Sequence, residues 1–228
     1  MGFKHNPNSL SYAAYHAIRK KIVTLKLPPG KILDENELQT ELDLGRTPIR
    51  EALKRLEIEK LVTILPRRGM FVTDISILDL QRLFEVRLNL ESLAAKLAAS
   101  RGKESHWQKM ATALAKADQT FDSDSNKDLN LEIDEACHLI MYDAADNEFL
   151  KDNLQILYTL SLRMWYFALT KTNDTDSPVV KSSHITDHQF IYEAMKSKDG
   201  NRAAELMQKH ILAYQNDIQR IILHPTGE

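Results

Sequence analysis

The sequence predicts a mainly α protein in two parts: a winged helix-turn-helix domain over residues 1–75, then an all-helical bundle of six or seven helices over residues 76–228. Two observations predict this organisation. Near the N-terminus, three helical patterns precede two short β-rich runs, which is the element order of a winged helix-turn-helix. From Ser76 onward, apolar residues recur at helical spacing, and no segment is typical of a strand.

The first two helices are predicted from their caps and breaks. Ser9 precedes a helical repeat of apolar residues, and "LPPG" ends that repeat because proline cannot continue a helix. In "DENEL", Asp34 and Glu37 have the spacing of an N-cap residue and its partner, which predicts the start of a second helix. The following "LDLG" predicts that this helix ends at a glycine turn.

A third helix and a hairpin complete the N-terminal part. Thr47 followed by Pro48 predicts an N-cap and first helical residue. The apolar stripe of this helix consists of Ile49, Ala52, Leu53 and Leu56. After Lys60 the period changes, and residues 62–65 and 70–73 form two β-rich runs around a Pro-Arg-Arg-Gly turn.

The C-terminal part contains six amphipathic helical patterns, separated by polar, turn-rich breaks. They cover residues 77–100, 105–121, 127–145, 148–170, 183–198 and 200–223. Because each has an apolar stripe and a charged face, we expect the helices to bury one shared core as a bundle.

Composition excludes several classes of protein. With 43% hydrophobic and 27% charged residues the chain has the composition of a globular protein and not of a disordered tail, and no apolar run approaches the ~20 residues of a membrane helix. The start, "MGFKHNPNSL", lacks the apolar core of a signal peptide, and the single cysteine, Cys137, cannot form an internal disulfide. These features predict a soluble, cytoplasmic protein.

Charge is divided unevenly along the chain. Residues 1–75 carry 13 Lys+Arg against 9 Asp+Glu, a net charge of +4, so the remainder carries −6 of the total of −2. In the third helix, Arg46, Arg50 and Lys54 recur every four residues and form one basic face. Such a face is usually only solvated, but its place in a helix-turn-helix favours contact with the major groove, where Arg binds the guanine edge.

Two further features support contact with DNA. Thr47 and the free amides at the start of the third helix are suited to bind a backbone phosphate. Arg67 and Arg68 lie at the hairpin tip, from which they can reach an adjacent groove or phosphate.

The N-terminal residues resemble those of a known family. "LPPGKILDENELQTELDLGRTPIREALKRLEIEKLV" followed by "PRRGMFV" is similar to the DNA-binding domain of the GntR family of bacterial transcription regulators. The resemblance implies that Arg46, Thr47 and Arg50 contact the operator and that Gly69 shapes the wing tip. The chain departs from the family pattern at Gly45, commonly a serine or threonine, and at Asn36, an arginine in some members.

Histidines in the C-terminal part form a candidate metal site. Asp134 and His138 lie four residues apart on an apolar stripe, where burial requires a hydrogen bond, an ion pair or a metal. His188 and His210 lie on the apolar stripes of two later helices. If these four converge, they suit a divalent transition metal; otherwise, an Asp134–His138 hydrogen bond explains the pair. His184, one turn before His188, is an alternative ligand.

This part resembles the FCD domain, the all-helical ligand-binding domain of the FadR subfamily of the same family. The similar segments are "RLNLESLAAKLAA", "DEACHLI", "DHQFIYEAM" and "AAELMQKHI". The resemblance implies that Asp134, His138, His188 and His210 bind a divalent metal (Zn, Mn, Fe or Ni), and we expect Zn in purified protein. It thereby favours His188 over His184.

The metal ion would keep open positions for water or a small carboxylate effector. Arg87 and Arg163 are the candidates for binding that effector, since guanidinium pairs with carboxylate. For Arg87, an i,i+4 salt bridge to Glu91 is the alternative. Arg163 interrupts the apolar run "LSLRMWYFAL", where it needs a partner that is either an effector or a structural carboxylate.

The function expected is that of a transcription regulator, specifically a repressor. A homodimer would present two recognition helices to a roughly palindromic operator, and the effector would modulate DNA affinity. One alternative is a metal-dependent enzyme acting on small organic acids. Against it, no further acid or base is recognisable beside the four ligands, and the N-terminal domain would have no role. Another alternative is a helical interaction protein without a small ligand.

Overall fold

The structure, a computed structural model, describes residues 9–118, 127–171 and 184–223. These residues form nine α-helices and three short β-strands. The helices are Leu10–Val23 (α1), Glu35–Leu42 (α2), Arg46–Ile58 (α3), Ile77–Arg101 (α4), Glu104–Asp118 (α5), Lys127–Ala144 (α6), Glu148–Leu169 (α7), His184–Lys196 (α8) and Gly200–Leu223 (α9). The strands are Ile32–Leu33 (β1), Val62–Leu65 (β2) and Gly69–Val72 (β3). The predicted fold class, mainly α with a small wing, is confirmed.

The chain divides into two compact units. The first comprises Met1–Leu80 and Tyr158–Thr170, and the second comprises Gln81–Leu157 and Lys171–Glu228. The first unit therefore holds α1 to α3, the sheet and the C-terminal half of α7. The second holds most of α4 together with α5, α6, α8 and α9. The boundary at residue 75 stays a prediction.

The first unit is built on the packing of α1 against α3. Ile18 and Ile22 of α1 and Ile49 and Leu56 of α3 are all fully buried in this core, so the opposite face of α3 is left to solvent. The predicted caps of the first two helices are confirmed. Ser9 Oγ accepts from the Tyr12 amide, and the Asp34 side chain caps α2.

The turn between α2 and α3 differs from the prediction. The left-handed residue that ends α2 is Asp43, with φ of 51°, and not the expected glycine; a short polar side chain tolerates this conformation. α3 begins at Arg46 and not at Pro48, with extended Gly45 as N-cap and no side-chain cap bond. The predicted N-cap role of Thr47 is therefore wrong. Pro48 still lies in the first turn, where no N–H is needed for the helix ladder.

The wing is a three-stranded antiparallel sheet in the order β1-β3-β2. Val62 pairs with Val72 and Leu65 with Gly69, so the second predicted run, residues 70–73, lies one residue too late. β1 was not predicted, because two residues are too short to show an alternating pattern.

The helices of the second unit lie close to their predicted bounds, and α9 matches its prediction. The predicted end at Phe121 and the predicted start at Ser183 lie outside the described residues. α8 ends at Lys196 rather than at the predicted Lys198, which has a left-handed φ of 64°. α8 packs against both α6 and α9, and this packing brings the stripes that carry the histidines together.

Candidate functional site

The four side chains predicted as metal ligands lie together in the second unit. Asp134 and His138 are one turn apart on α6, His188 is on α8 and His210 is on α9. Each offers a ligand atom, and these atoms all lie within 4.8 Å of one another. The three imidazoles are buried and the Asp134 side chain is 16% exposed.

All three rings turn the same nitrogen towards one carboxylate oxygen. His188 Nε2 lies 2.8 Å from Asp134 Oδ1, and the Nε2 atoms of His138 and His210 each lie 3.8 Å from it. Three imidazole nitrogens and one carboxylate oxygen form a donor set suited to divalent transition metals. The residues present therefore fit a metal ion of this class.

The electrostatics of the cluster match that donor set. Burial opposes ionisation of Asp134, but the neighbouring imidazoles outweigh it and hold the pKa of this carboxyl well below its ordinary value. Burial, reinforced by the nearby His188, lowers the pKa of His210 to about 3. Near neutral pH the site therefore offers an ionised carboxylate and, at His210, a neutral imidazole, which are the protonation states that metal binding requires.

A second layer of polar side chains surrounds the cluster. Glu91 on α4 is fully buried; it accepts from Arg87 Nη2 at 2.7 Å and from the Tyr142 hydroxyl at 2.7 Å. Its other oxygen lies 3.1 Å from His138 Nδ1. On α8, Asp187 Oδ2 lies 3.4 Å from His210 Nδ1. None of the residues Glu91, Asp187 and Tyr142 is predicted from the sequence to be part of the site.

The two arginines predicted to bind an effector lie in different units. Arg87 is buried in the second unit, with the i,i+4 salt bridge to Glu91 that the sequence offered as an alternative. Arg163 belongs to the first unit, where its guanidinium donates to the Thr73 carbonyl. Burial lowers the pKa of Arg163 to about 10 despite the opposing charge of Asp74. Among the described residues, its buried Nε has no hydrogen-bond partner.

His184, the alternative metal ligand, is the first residue of α8, but its side chain lies outside the described part of the structure.

The predicted DNA-contacting face of α3 is exposed. Arg46, Thr47, Arg50 and Lys54 all lie on the solvent side of the helix. The two arginines are 65% and 51% exposed at their side chains, yet both are held in place. Glu35 at the start of α2 accepts from Arg50 Nε at 2.8 Å and from Arg46 Nε at 3.2 Å, and its pKa is lowered by these bonds.

The wing tip presents the remaining predicted residues. Arg67 and Arg68 are exposed in the turn between β2 and β3, and the Arg68 amide donates to the Leu65 carbonyl. Gly69 has a φ of 106°, which side chains rarely adopt, although the space around it is open. Glycine is thus required there by the backbone and not by packing.

Comparison with known protein families agrees with this arrangement. The family model of bacterial regulatory proteins, gntR family, matches residues 10–72, and that of the FCD domain matches residues 82–213. The chain belongs to the GntR family and carries an FCD domain. It is therefore a DNA-binding transcription regulator and not an enzyme.

Individual relatives cover most of the chain. The HTH-type transcriptional repressor RspR of Escherichia coli is 26% identical over 216 residues, which are 91% of this chain and 88% of that protein. The repressor GlaR of Escherichia coli is 28% identical over 208 residues, covering 89% and 92%. Escherichia coli McbR/YncC shares the fold, with a TM-score of 0.77, 19% identity, and coverage of 94% and 98%.

The described helices were compared with the length and hydropathy of membrane-spanning helices. Within the described ranges, none of them combines the length and the apolar character needed to cross a bilayer.

The lowered pKa of His210 predicts a specific loss of stability in acid. In metal-free protein, unfolding lets His210 take up a proton below pH ~6.5, while the folded state resists protonation down to about pH 3. Stability should therefore fall with pH across this window, by up to ~1.4 kcal/mol per pH unit for this group. Urea unfolding in chelator at pH 7, 6 and 5 should give a shallower fall for His210→Gln than for wild type. An equal fall in unfolding free energy with pH in the two proteins would contradict the lowered pKa of His210.

Proposed function

We propose that this regulator is a metal-dependent, metabolite-responsive repressor. A divalent transition metal bound by Asp134, His138, His188 and His210 would take a small carboxylate effector, and effector binding would change the affinity of the winged helix for its operator. The observation that carries the proposal is the convergence of three Nε2 atoms on one ionised carboxylate oxygen.

Readout of DNA is assigned to α3 and the wing. Arg46 and Arg50 project from the first turns of α3, the end that enters the major groove in helix-turn-helix proteins. Thr47 lies beside the free amides of the helix N-terminus, where a backbone phosphate is favoured. Lys54 and the wing residues Arg68 and Gly69 extend the contact along the duplex. Glu35 holds both arginines in position before DNA is present.

The metal centre would be the point of contact for the effector. When bound, a divalent metal supplies a Lewis-acidic centre with positions left for oxygen ligands. The four protein side chains hold that centre and exclude bulk water, because three of them are buried. Zn is the metal we expect in purified protein. Arg87 and Arg163 stay predictions as effector-binding residues, although Arg87 is already engaged by Glu91.

The oligomeric state follows from the mode of DNA binding. Two-fold helix-turn-helix proteins bind palindromic operators as dimers, so we propose a homodimer on a roughly palindromic site. The effector would act by favouring one arrangement of the two DNA-binding domains, since a ligand shifts an equilibrium by its differential affinity for the two states. RspR and GlaR are both named as repressors, which supports the same sense of regulation here.

Arg50→Ala should relax operator preference without unfolding the protein. Loss of a paired contact to a base should cost about 1–3 kcal/mol, so the ratio of operator to random-duplex affinity should fall about 5- to 150-fold. Fluorescence anisotropy on an operator selected from a random library would measure the ratio. Arg202→Ala, which removes an exposed arginine on α9, is the matched control and should keep the wild-type ratio. An unchanged ratio in the Arg50 variant would remove this residue from the readout.

His188→Ala should abolish tight metal binding. Wild-type protein dialysed against Zn²⁺ should retain one equivalent and melt at a higher temperature than the chelated protein. Mutation of a residue that only hydrogen-bonds to a metal ligand typically weakens metal binding ~10–100-fold, so removing the ligand His188 itself should weaken Zn²⁺ binding by more than that. His106→Ala, which removes an imidazole outside the cluster, should behave as wild type. If the wild type retains no stoichiometric metal, the proposed centre does not exist.

Effector response should require the metal. With Zn²⁺-loaded protein on the selected operator, at least one of acetate, lactate, succinate and citrate should change the DNA dissociation constant about 5- to 150-fold, the usual range of coupling between sites. The same titration with chelated wild type, or with His188→Ala, should give no change. A response of equal size in metal-free protein would place the effector elsewhere.

A further inference from the structure

Glu91 is the most deeply buried carboxylate around the proposed metal centre, and it is not one of the four proposed ligands. Its side chain is fully buried on α4, yet three groups converge on it: Arg87, Tyr142 and His138. A buried charge with this many partners is costly to assemble and needs each partner in place. The contact of Glu91 with His138 indicates what this arrangement does.

The contact with Glu91 fixes which nitrogen of His138 carries the proton. An ionised carboxylate only accepts hydrogen bonds, so at 3.1 Å His138 Nδ1 must be the donor. In a neutral imidazole the other nitrogen, Nε2, then presents its lone pair. That atom faces Asp134 Oδ1 at 3.8 Å, on the side where the ligand atoms converge.

Burial alone would favour the protonated Glu91. The donors around it favour the ionised form instead, because Arg87 donates to Glu91 Oε1 through Nε at 3.1 Å and Nη2 at 2.7 Å, and the Tyr142 hydroxyl donates to the same oxygen. Arg87 therefore has a structural role, because its guanidinium keeps Glu91 ionised. The Cζ atom of Arg87 lies 5.5 Å from the centre of the Phe84 ring and 5.9 Å from the centre of the Tyr214 ring.

The same pattern recurs at a second ligand. His210 Nδ1 faces Asp187 Oδ2 at 3.4 Å, and its Nε2 faces Asp134 Oδ1 at 3.8 Å. Asp187 lies next to His188 on α8, so this helix carries both a ligand and the carboxylate that orients a ligand on α9. Asp187 is 39% exposed and its contact is longer, so its effect should be the smaller of the two.

We propose that Glu91 and Asp187 are positioning residues of the metal centre, which hold His138 and His210 with Nε2 directed at the ion, and that Arg87 supports Glu91. This inference rests on the proposed metal binding. Carboxylates that accept from the far nitrogen of a ligand histidine fix its orientation and raise its basicity, and their loss usually costs ~10–100-fold in metal affinity.

Zn²⁺ affinity of the full-length chain, measured by competition with a chromophoric chelator, tests this role. Glu91→Gln should weaken binding ~10–100-fold, and Asp187→Asn by the lower end of that range. Glu205→Gln, which neutralises an exposed carboxylate on α9, is the control and should bind as wild type. Variants that fold and bind Zn²⁺ as tightly as wild type would overturn the proposal.

A double variant separates positioning from folding. Replacing a buried ion pair by apolar residues of similar volume is often neutral for stability, so Arg87→Met with Glu91→Leu should restore folding lost in Glu91→Gln. A purely structural role for Glu91 predicts that Zn²⁺ affinity returns with stability. The positioning role predicts that Zn²⁺ affinity stays reduced ~10-fold or more even where melting in chelator recovers, because neither Met nor Leu can accept from His138 Nδ1.

Nitrogen NMR of the metal-free wild type gives a readout that does not depend on any variant folding. His138 should carry its proton on Nδ1, and a proton on Nε2 would overturn the proposal. The proposed metal centre and the proposed positioning role are refuted by different results. Absence of stoichiometric metal in wild type refutes the proposed centre, whereas tight metal binding with unaffected Glu91 and Asp187 variants refutes only the positioning role.

Discussion

One carboxylate oxygen, Asp134 Oδ1, organises the second unit, because the Nε2 atoms of three imidazoles from three helices all face it. Burying such groups is costly unless each finds a partner of opposite character. The need to partner these buried groups therefore fixes which sides of α6, α8 and α9 face one another. The same requirement accounts for the buried layer behind the cluster, where Glu91, paired with Arg87, lies against Nδ1 of His138.

The two units use charge in opposite ways. In the first unit the ion pairs of Glu35 with Arg46 and Arg50 lie at the surface, where such pairs contribute at most about 1 kcal/mol and are readily exchanged for other contacts. In the second unit the pairs are desolvated, and removing one partner leaves a buried charge. The surface proposed to contact DNA is thus adaptable, while the proposed metal site is held in one geometry.

Much of this could be predicted from the sequence, because helical periodicity and caps are local. The bounds of α9 and the cap at Asp34 follow from residues within a few positions. The four candidate metal ligands could be predicted, and the choice of His188 over His184 rested on family resemblance. The contact of Glu91 with His138 was not predictable, since 47 residues separate them and no periodic pattern joins them. The start of α3 was misplaced because extended Gly45 takes the N-cap position without a side-chain bond.

The central claim is that three imidazoles and one carboxylate form a single metal-binding centre. X-ray absorption on Zn²⁺-loaded full-length protein tests it most directly, because the scattering pattern counts imidazole rings around the metal. The account predicts three imidazole nitrogens and at least one oxygen at about 2.0–2.1 Å, without sulfur. One imidazole, none, or a sulfur ligand at about 2.3 Å from Cys137 would contradict it.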